Sequence, residues 1–308
     1  MLDHLQGKTA VITGAGSGFG LEFARLAALR GMRLVLLDVQ AQPLAQVVAE
    51  LRQGGAQVLP FELSVADAPA MQAMAQSVQA QWGAPHLVFN NAGVGTSGLL
   101  WEGTLADWNW VLGVNLMGVV HGVHCFVPMM LAAARSDPSW RGHVVNTASM
   151  AGLLNPPNMG IYNVSKHAVV SLSESLHHDL SLVTEQIGVS VLCPYFVPTG
   201  ISSSSRLKPQ AEQDDPMTAS QRIGQAMMDK AVQSGRVTAA QVAARTFEAV
   251  AQGEFYIYSH PQALASVRTR MEDILQPRTP SDPFADKPQV RHMLQEQLRG
   301  SSLGGPLN

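Results

Sequence analysis

The stretch Thr9-Ala10-Val11-Ile12-Thr13-Gly14-Ala15-Gly16-Ser17-Gly18-Phe19-Gly20, running on into Leu21-Glu22-Phe23-Ala24-Arg25-Leu26-Ala27, decides the fold. Its first five residues are an apolar run rich in strand formers, and the residues after the glycines carry apolar side chains at helical spacing. Strand, glycine turn and helix in this order aim backbone N–H groups and a helix N-terminus at a pyrophosphate. Glycine permits positive φ in the turn and lets backbone approach a phosphate closely. The spacing departs from G-x-G-x-x-G, because Phe19 stands at its last glycine; it fits T-G-x-x-x-G-x-G through Gly14, Gly18 and Gly20, with Ser17 in the loop. Taken alone, the motif is equally compatible with a structural bend.

A second strand, Arg33 to Leu37, ends at Asp38. A carboxylate at this point, some twenty residues past the glycine turn, can accept hydrogen bonds from a ribose 2′-hydroxyl and would repel a 2′-phosphate. Neither Ser17 nor Val39 supplies a compensating cation, so the expected cofactor is NAD, with NADP less favoured. The competing reading of Asp38 is a solvated carboxylate at a strand end. Downstream, strands at 57–61, 86–90, 143–147, 189–193 and 255–258 alternate with helices at 41–52, 68–81, 104–134, 160–184 and 238–251. That alternation predicts βαβ units and a parallel sheet. Pro128 is expected to kink or end the first section of the long helix that begins at Thr104.

Between Gly200 and Gly235 strand character disappears and Ser, Gln, Lys and Pro accumulate. Such a segment after a sheet strand reads as a substrate lid, or more simply as a poorly ordered surface loop. The tail from Ser281 is polar, interrupted by Pro, and expected to be peripheral. The chain thus divides into one dinucleotide-binding and catalytic domain over 1–260, with its lid at about 200–235, and a helical or irregular extension over 261–308.

The composition suits a globular protein: of 308 residues, 46% are hydrophobic and 14% charged, with ample core material and little tendency to disorder. A net charge of -3 gives no general attraction for nucleic acid or anionic membrane. Cys125 and Cys193 have apolar neighbours and no recognisable spacing, which predicts buried thiols and a reducing cytoplasm. Met1-Leu2-Asp3-His4 lacks the basic and apolar regions of a signal peptide, and no stretch reads as long and apolar enough to span a bilayer. These features predict a soluble, cytoplasmic protein. His121 and His124, three apart on the long helix, have no carboxylate or Cys to complete a metal site, and the adjacent pair His177-His178 diverges around its helix; no metal is expected.

The chemistry is concentrated in Ser149 to Lys166. Tyr162 and Lys166 lie four apart on a predicted helix and project from one face. An ammonium beside a phenol favours the phenolate and would pull the Tyr pKa down from about 10. Such a Tyr exchanges a proton with an alcohol or ketone oxygen, and Ser149 can offer the same oxygen a second hydrogen bond.

Together these motifs, in this order over roughly Gln6 to Tyr258, resemble the short-chain dehydrogenase/reductase family. The resemblance implies a single-domain α/β Rossmann fold, a seven-stranded parallel sheet with helices on both faces. In its scheme Gly14, Gly18 and Gly20 form the phosphate turn, with Ser17 and Phe19 between them, and Asp38 binds the adenosine ribose. Asn90, Asn91, Ala92 and Gly93 form the N-N-A-G segment that supports the sheet and lines the adenosine side. Asn115, Ser149, Tyr162 and Lys166 match the catalytic tetrad: Tyr162 as acid/base, Ser149 polarising the substrate oxygen, Lys166 holding the nicotinamide ribose, and Asn115 holding a relay water. Val197 and Thr199 match contacts to the nicotinamide carboxamide. Two positions depart from the pattern. Ser64 replaces an Asp that often holds the adenine amino group, and Tyr195 replaces the Gly of a common Pro-Gly, where it would line the substrate mouth.

The resemblance therefore implies an oxidoreductase that interconverts a secondary alcohol and a ketone, acting as a homodimer or homotetramer through its two long helices. The lid and the residues Met159, Tyr195 and Phe196 favour a hydrophobic or aryl-bearing substrate, and the C-terminal part resembles members that oxidise lignin-derived aryl alcohols. The alternative is a catalytically silent dinucleotide-binding sensor or scaffold, whose expected signature is a broken tetrad; this tetrad is intact.

Overall fold

Seven parallel strands form one sheet: β1 (Thr9–Thr13), β2 (Arg33–Asp38), β3 (Val58–Glu62), β4 (Leu87–Asn90), β5 (Gly142–Thr147), β6 (Ile187–Cys193) and β7 (Tyr256–Tyr258), in the spatial order β3-β2-β1-β4-β5-β6-β7. The computed structural model describes residues 2, 4–209 and 216–302. Part of the expected lid, 210–215, and the end of the extension, 303–308, lie outside the described residues, as do Met1 and Asp3 of the N-terminal stretch.

Side-chain alternation along the strands divides the interior in two. Ala10, Ile12, Leu34, Leu36, Leu87 and Phe89 face a core shared with α1 (Gly18–Leu29), α2 (Ala41–Gln53) and α8 (Ala239–Gln252). Val11, Val35, Leu37, Val88, Val144 and Val189 face a second core filled from α3 (Ala68–Trp82), α5 (Gly118–Ser136) and α6 (Gly160–Ser181). A sheet covered on both faces explains why its strands read as near-continuous apolar runs. This is the expected single-domain Rossmann fold. The chain winds from β1 out to β3 and then returns to place β4 on the other side of β1, leaving a crevice at the carboxyl ends of β1 and β4, where ligands of such sheets bind.

The long helix differs from expectation. Pro128 lies inside α5 without ending it. The break comes earlier, where a π-helical turn, Gly113–Met117, separates α4 (Leu105–Leu112) from α5. Asn115 sits in that turn, fully buried. By length and hydropathy the helix Leu105–Ser136 (32 residues, with an 18-residue window of mean hydropathy 1.7) also suffices to cross a bilayer, contrary to the reading above. Within the fold it supplies Phe126 and Met130 to the second core and packs against α3 and β4.

The described residues after β6 are held by contacts with the rest of the fold. A 3₁₀ stretch, Gly200–Leu207, precedes α7 (Ala219–Gln233), which starts with a reciprocal capping box between Thr218 and Gln221. Beyond β7, α9 (Leu264–Leu275) and α10 (Pro288–Ser302) follow, and α10 packs on α7.

Candidate active site

The glycine turn opens into the crevice. Gly14 and Gly18 adopt positive φ, +66° and +55°. A Cβ on Gly14 would stand 2.9 Å from the Ala92 Cα, and one on Gly20 would stand 2.0 Å from the Gly14 carbonyl oxygen, so these positions accept no side chain. Ser17 caps α1 by position but makes no side-chain cap bond, which leaves the first N–H groups of the helix facing the crevice. Asp38, buried at the end of β2, accepts from Gly16 N–H at 2.8 Å and from Gln40 N–H at 2.9 Å, fixing the turn against the next strand.

The segment after β4 is pinned from both sides. Thr13 Oγ1 accepts from the N–H groups of Asn91 (2.8 Å) and Ala92 (2.9 Å), while Asn91 Nδ2 donates to the Thr13 carbonyl at 3.0 Å and Thr147 Oγ1 donates to Asn91 Oδ1 at 3.2 Å. Asn90 turns away from the crevice and donates to Asn146 Oδ1 at 2.9 Å. Gly93 leaves room between two functional side chains: a Cβ there would lie 3.4 Å from both Asn115 Oδ1 and Lys166 Nζ.

Four candidate catalytic residues meet beneath this segment. Asn115 accepts from Val94 N–H at 2.8 Å and donates to the Val94 carbonyl (2.9 Å) and to Ser165 Oγ (3.0 Å). Ser165 Oγ in turn donates to the Tyr162 carbonyl at 2.8 Å, so Asn115 braces both the loop and the start of α6. Ser149, past the end of β5, accepts from Ala151 N–H at 3.1 Å, donates to the Pro194 carbonyl at 3.4 Å, and acts on the Tyr162 phenol. Lys166 is buried, donates to the Thr147 carbonyl at 2.9 Å, and holds its Nζ 5.7 Å from the centre of the Tyr162 ring. The electrostatics correct the expectation of a lowered phenol pKa. Burial raises Tyr162, with Ser149 acting against it, and burial lowers Lys166 to about 8.

One cavity of about 1540 Å³ gathers nearly all the expected residues. Gly14, Ser17, Gly18, Phe19, Asp38 and Ser64 line one part of it, with Asn91, Ala92 and Gly93 beside them. Ser149, Tyr162, Lys166, Tyr195, Val197 and Thr199 line the rest. Gly20, Asn90 and Asn115 stand behind its wall. Ser64 Oγ accepts from Ala66 N–H at 3.3 Å, and Thr199 packs on Gly18. Tyr195 is 45% exposed; its ring lies tilted at 4.5 Å from Phe196 and edge-on at 5.8 Å from His260. Among the described residues no three His, Cys, Asp or Glu side chains gather as metal ligands; His121 Nδ1 pairs instead with the Val65 carbonyl at 2.8 Å.

Sequence reasoning missed much of the outer wall. Arg206 lines the cavity and reaches Gln40 Oε1 at 3.4 Å, beside the Asp38 end. Met227, Met228 and Val232 of α7 line it too. The tail expected to be peripheral brings Phe284, Lys287 and Val290 to the same space, because α10 is held on α7. The segment from 200 onward is tied to the opposite rim: Ser204 Oγ accepts from Gly95 N–H at 2.7 Å, Ser220 Oγ donates to Glu102 at 2.6 Å, and Asn158 donates to the Ser220 carbonyl at 2.9 Å. Lys208 pairs with the buried Asp107 of α4 and sits over the Trp110 ring. Asn158, next to the start of α6, adopts φ +63°, uncommon for a residue other than glycine.

The features fit a dinucleotide: a cradle with no room for Cβ atoms, an uncapped helix start, and a buried carboxylate at the next strand end. Comparison with known proteins agrees. A 30% identical relative, the CLA biosynthesis dehydrogenase/reductase of Lactiplantibacillus plantarum, aligns over 87% of this chain and 93% of its own length. The 1-deoxy-11-beta-hydroxypentalenate dehydrogenase of Streptomyces avermitilis is 33% identical over 88% of this chain and 91% of its own. Among solved structures, a short chain dehydrogenase/reductase from Burkholderia phymatum in complex with NAD is 50% identical and superposes with a TM-score of 0.88, covering 91% of this chain and 99% of that one. With residues 8–210 matching the sequence model of the short chain dehydrogenases, the chain belongs to that family of dinucleotide-binding oxidoreductases.

Proposed function

We propose that the protein interconverts a secondary alcohol and a ketone with Tyr162 as acid/base, that NAD is its preferred cofactor, and that the substrate is hydrophobic or aryl-bearing. The observation that carries this reading is the convergence of Ser149, Tyr162 and Lys166 on the cavity that also holds the glycine turn. Gly14, Ser17, Gly18 and Phe19 would hold the pyrophosphate, Asp38 the adenosine ribose, and Ser64, Ala92 and Gly93 the adenine side. Lys166 would hold the nicotinamide ribose, and Val197 and Thr199 the carboxamide. When bound, the nicotinamide exchanges a hydride with the substrate carbon.

The chain's own residues do the rest. Tyr162 Oη takes the hydroxyl proton in oxidation and returns it in reduction. Ser149 Oγ hydrogen-bonds the same oxygen and acts on the phenol, aligning the two. The Lys166 ammonium, oriented by the Thr147 carbonyl, stabilises the phenolate as it forms. Asn115 holds α6 and the Val94 loop in register, and its place beside Gly93 and Lys166 suits the relay role. Asp38 favours NAD by meeting a 2′-phosphate with a like charge. The 200–235 segment acts as the lid, with Met159, Tyr195, Phe196 and Met228 giving the space beneath it apolar walls. Exposed Leu105, Met117 and Val164 on the long helices support a homo-oligomer.

Incubating the purified protein with NAD and a panel of aryl and long-chain secondary alcohols, while following NADH absorbance, tests the reading. Turnover is expected with at least one apolar member of the panel. Tight NADH binding with no turnover in either direction would favour a sensor or scaffold instead.

A further inference from the structure

Helix α9 presents Ser266, Thr269, Arg270, Asp273 and Ile274 to the cavity, one face of the helix by their three- and four-residue spacing. The two charges on this face are not equivalent. Asp273 is buried and already matched: its carboxylate accepts from Ser281 N–H at 2.8 Å and from Arg278 Nε at 3.2 Å. Arg270 is half-buried and, among the described residues, makes no hydrogen bond or ion pair.

The other charged groups around this part of the cavity do not compensate it. Arg278 is engaged by Asp273, and Asp282 pairs with Arg291 at 2.9 Å. Asp286 and Lys287 are exposed neighbours on the outer rim, opposite in sign. Asp38 and Arg206 belong to the glycine-turn end. Arg270 lines the cavity from α9, and its charge also acts on His167, which lies on α6 just beyond Tyr162 and Lys166 and pairs through Nδ1 with the Asn163 carbonyl at 3.0 Å. Arg270 is thus a half-buried cation with no matching anion among the described residues, on a cavity whose lining also includes the apolar Leu154, Met159 and Phe196. A guanidinium, with its planar fork of donors, is the group best shaped to receive a carboxylate.

We propose that Arg270 determines substrate specificity by binding a carboxylate carried on the far side of an apolar body from the reacting oxygen. This rests on the alcohol/ketone reading above and narrows its substrate class to hydroxy or keto acids with a long apolar or aryl body. Arg270 touches the substrate but not the reacting atoms; Ser266 and Thr269 on the same face offer hydroxyls beside it.

The test is calorimetric binding to the full-length, NADH-loaded protein. The probes are aryl ketones whose methylene chains, of increasing length, end in a carboxylate, and the methyl ester of each. The wild type is expected to bind at least one acid about tenfold or more tightly than its ester. Arg270→Gln should erase that preference and leave ester binding unchanged, while Arg270→Lys, which keeps the charge and loses the fork, should retain part of it. Equal binding of acid and ester, binding of neither, or a preference surviving in Arg270→Gln would overturn the proposal. The readout needs no turnover. A wild type that turns over alcohols yet shows no acid preference therefore refutes Arg270 alone, whereas an acid preference without any turnover refutes the reaction.

Discussion

The Lys166 ammonium stands 5.7 Å from the centre of the Tyr162 ring and is tied at 2.9 Å to the Thr147 carbonyl. Burial raises the phenol, and the Lys166 cation, itself lowered by burial to about 8, eases the loss of the phenol proton while it stays charged. Alcohol oxidation should therefore speed up as pH rises above neutral, and ketone reduction should slow. Lys166→Met should move the rising limb of oxidation to higher pH and lower kcat by about 100-fold or more. Profiles of kcat/KM against pH for both proteins check this, and an unmoved limb would remove Lys166 from the proton chemistry.

Asp38 has a structural duty as well as the proposed cofactor contact, since it accepts two backbone N–H groups at 2.8 and 2.9 Å. NADH should bind at least about tenfold more tightly than NADPH. Asp38→Asn should narrow that gap. Asp38→Ala should also destabilise the fold, by about 1–3 kcal/mol for each buried donor it strands. Side-by-side titration of the two cofactors, with denaturant melts of the variants, separates the two effects. A preference for NADPH would shift attention to Arg206, the cation nearest this end.

A methyl group at Gly20 would stand 2.0 Å from the Gly14 carbonyl oxygen, a contact that side-chain rotation cannot relieve. Gly20→Ala should cost about 1–3 kcal/mol or more by overpacking and should weaken dinucleotide binding by opening the turn. Gly55→Ala is a control for added bulk alone, because a Cβ there meets nothing within 4 Å, although its φ of +86° adds backbone strain. It should leave cofactor affinity unchanged.

His143 is buried in β5, and its Nε2 lies 2.7 Å from Ser190 Oγ, whose own hydroxyl donates to the Glu254 carbonyl. The imidazole must therefore donate through Nε2, and burial holds its pKa down to about 3, against an ordinary 6.5. Between these values the unfolded chain binds the proton and the folded one does not. The His143 contribution to stability is thus complete above about 6.5 and is lost as pH falls toward about 3, by about 1.4 kcal/mol per pH unit. His143→Gln should lose less stability than the wild type on acidification from pH ~6 to ~4, as read by denaturant melts.

The sheet was legible because each strand is a short apolar run bounded by glycine or a polar turn, and because Thr13 leads directly into the glycines. The placing of Tyr162 beside Lys166 was legible because a four-residue spacing puts both on one face of α6, whereas Asn115 and Ser149 were singled out through the family resemblance. The break at Asn115 was not, since nothing local distinguishes it from the Pro128 that looked like the stronger breaker; it depends on bonds to Val94 and Ser165, far along the chain. The phenol's raised pKa likewise depends on burial, which pattern alone does not measure. The outer wall escaped notice for a similar reason: Arg270 and Phe284 reach the cavity only through the packing of α9 and α10, and a polar helix does not announce which face it turns inward.

Tyr162→Phe tests the central claim most directly. The variant keeps the ring and removes one oxygen, so it should retain the NADH affinity of the wild type and lose about 100- to 10,000-fold in kcat for an alcohol that the wild type oxidises. Cofactor affinity and kcat measured on the same preparations read both quantities. Unchanged affinity with turnover abolished is the predicted result; turnover surviving within about a factor of ten would contradict Tyr162 as the acid/base.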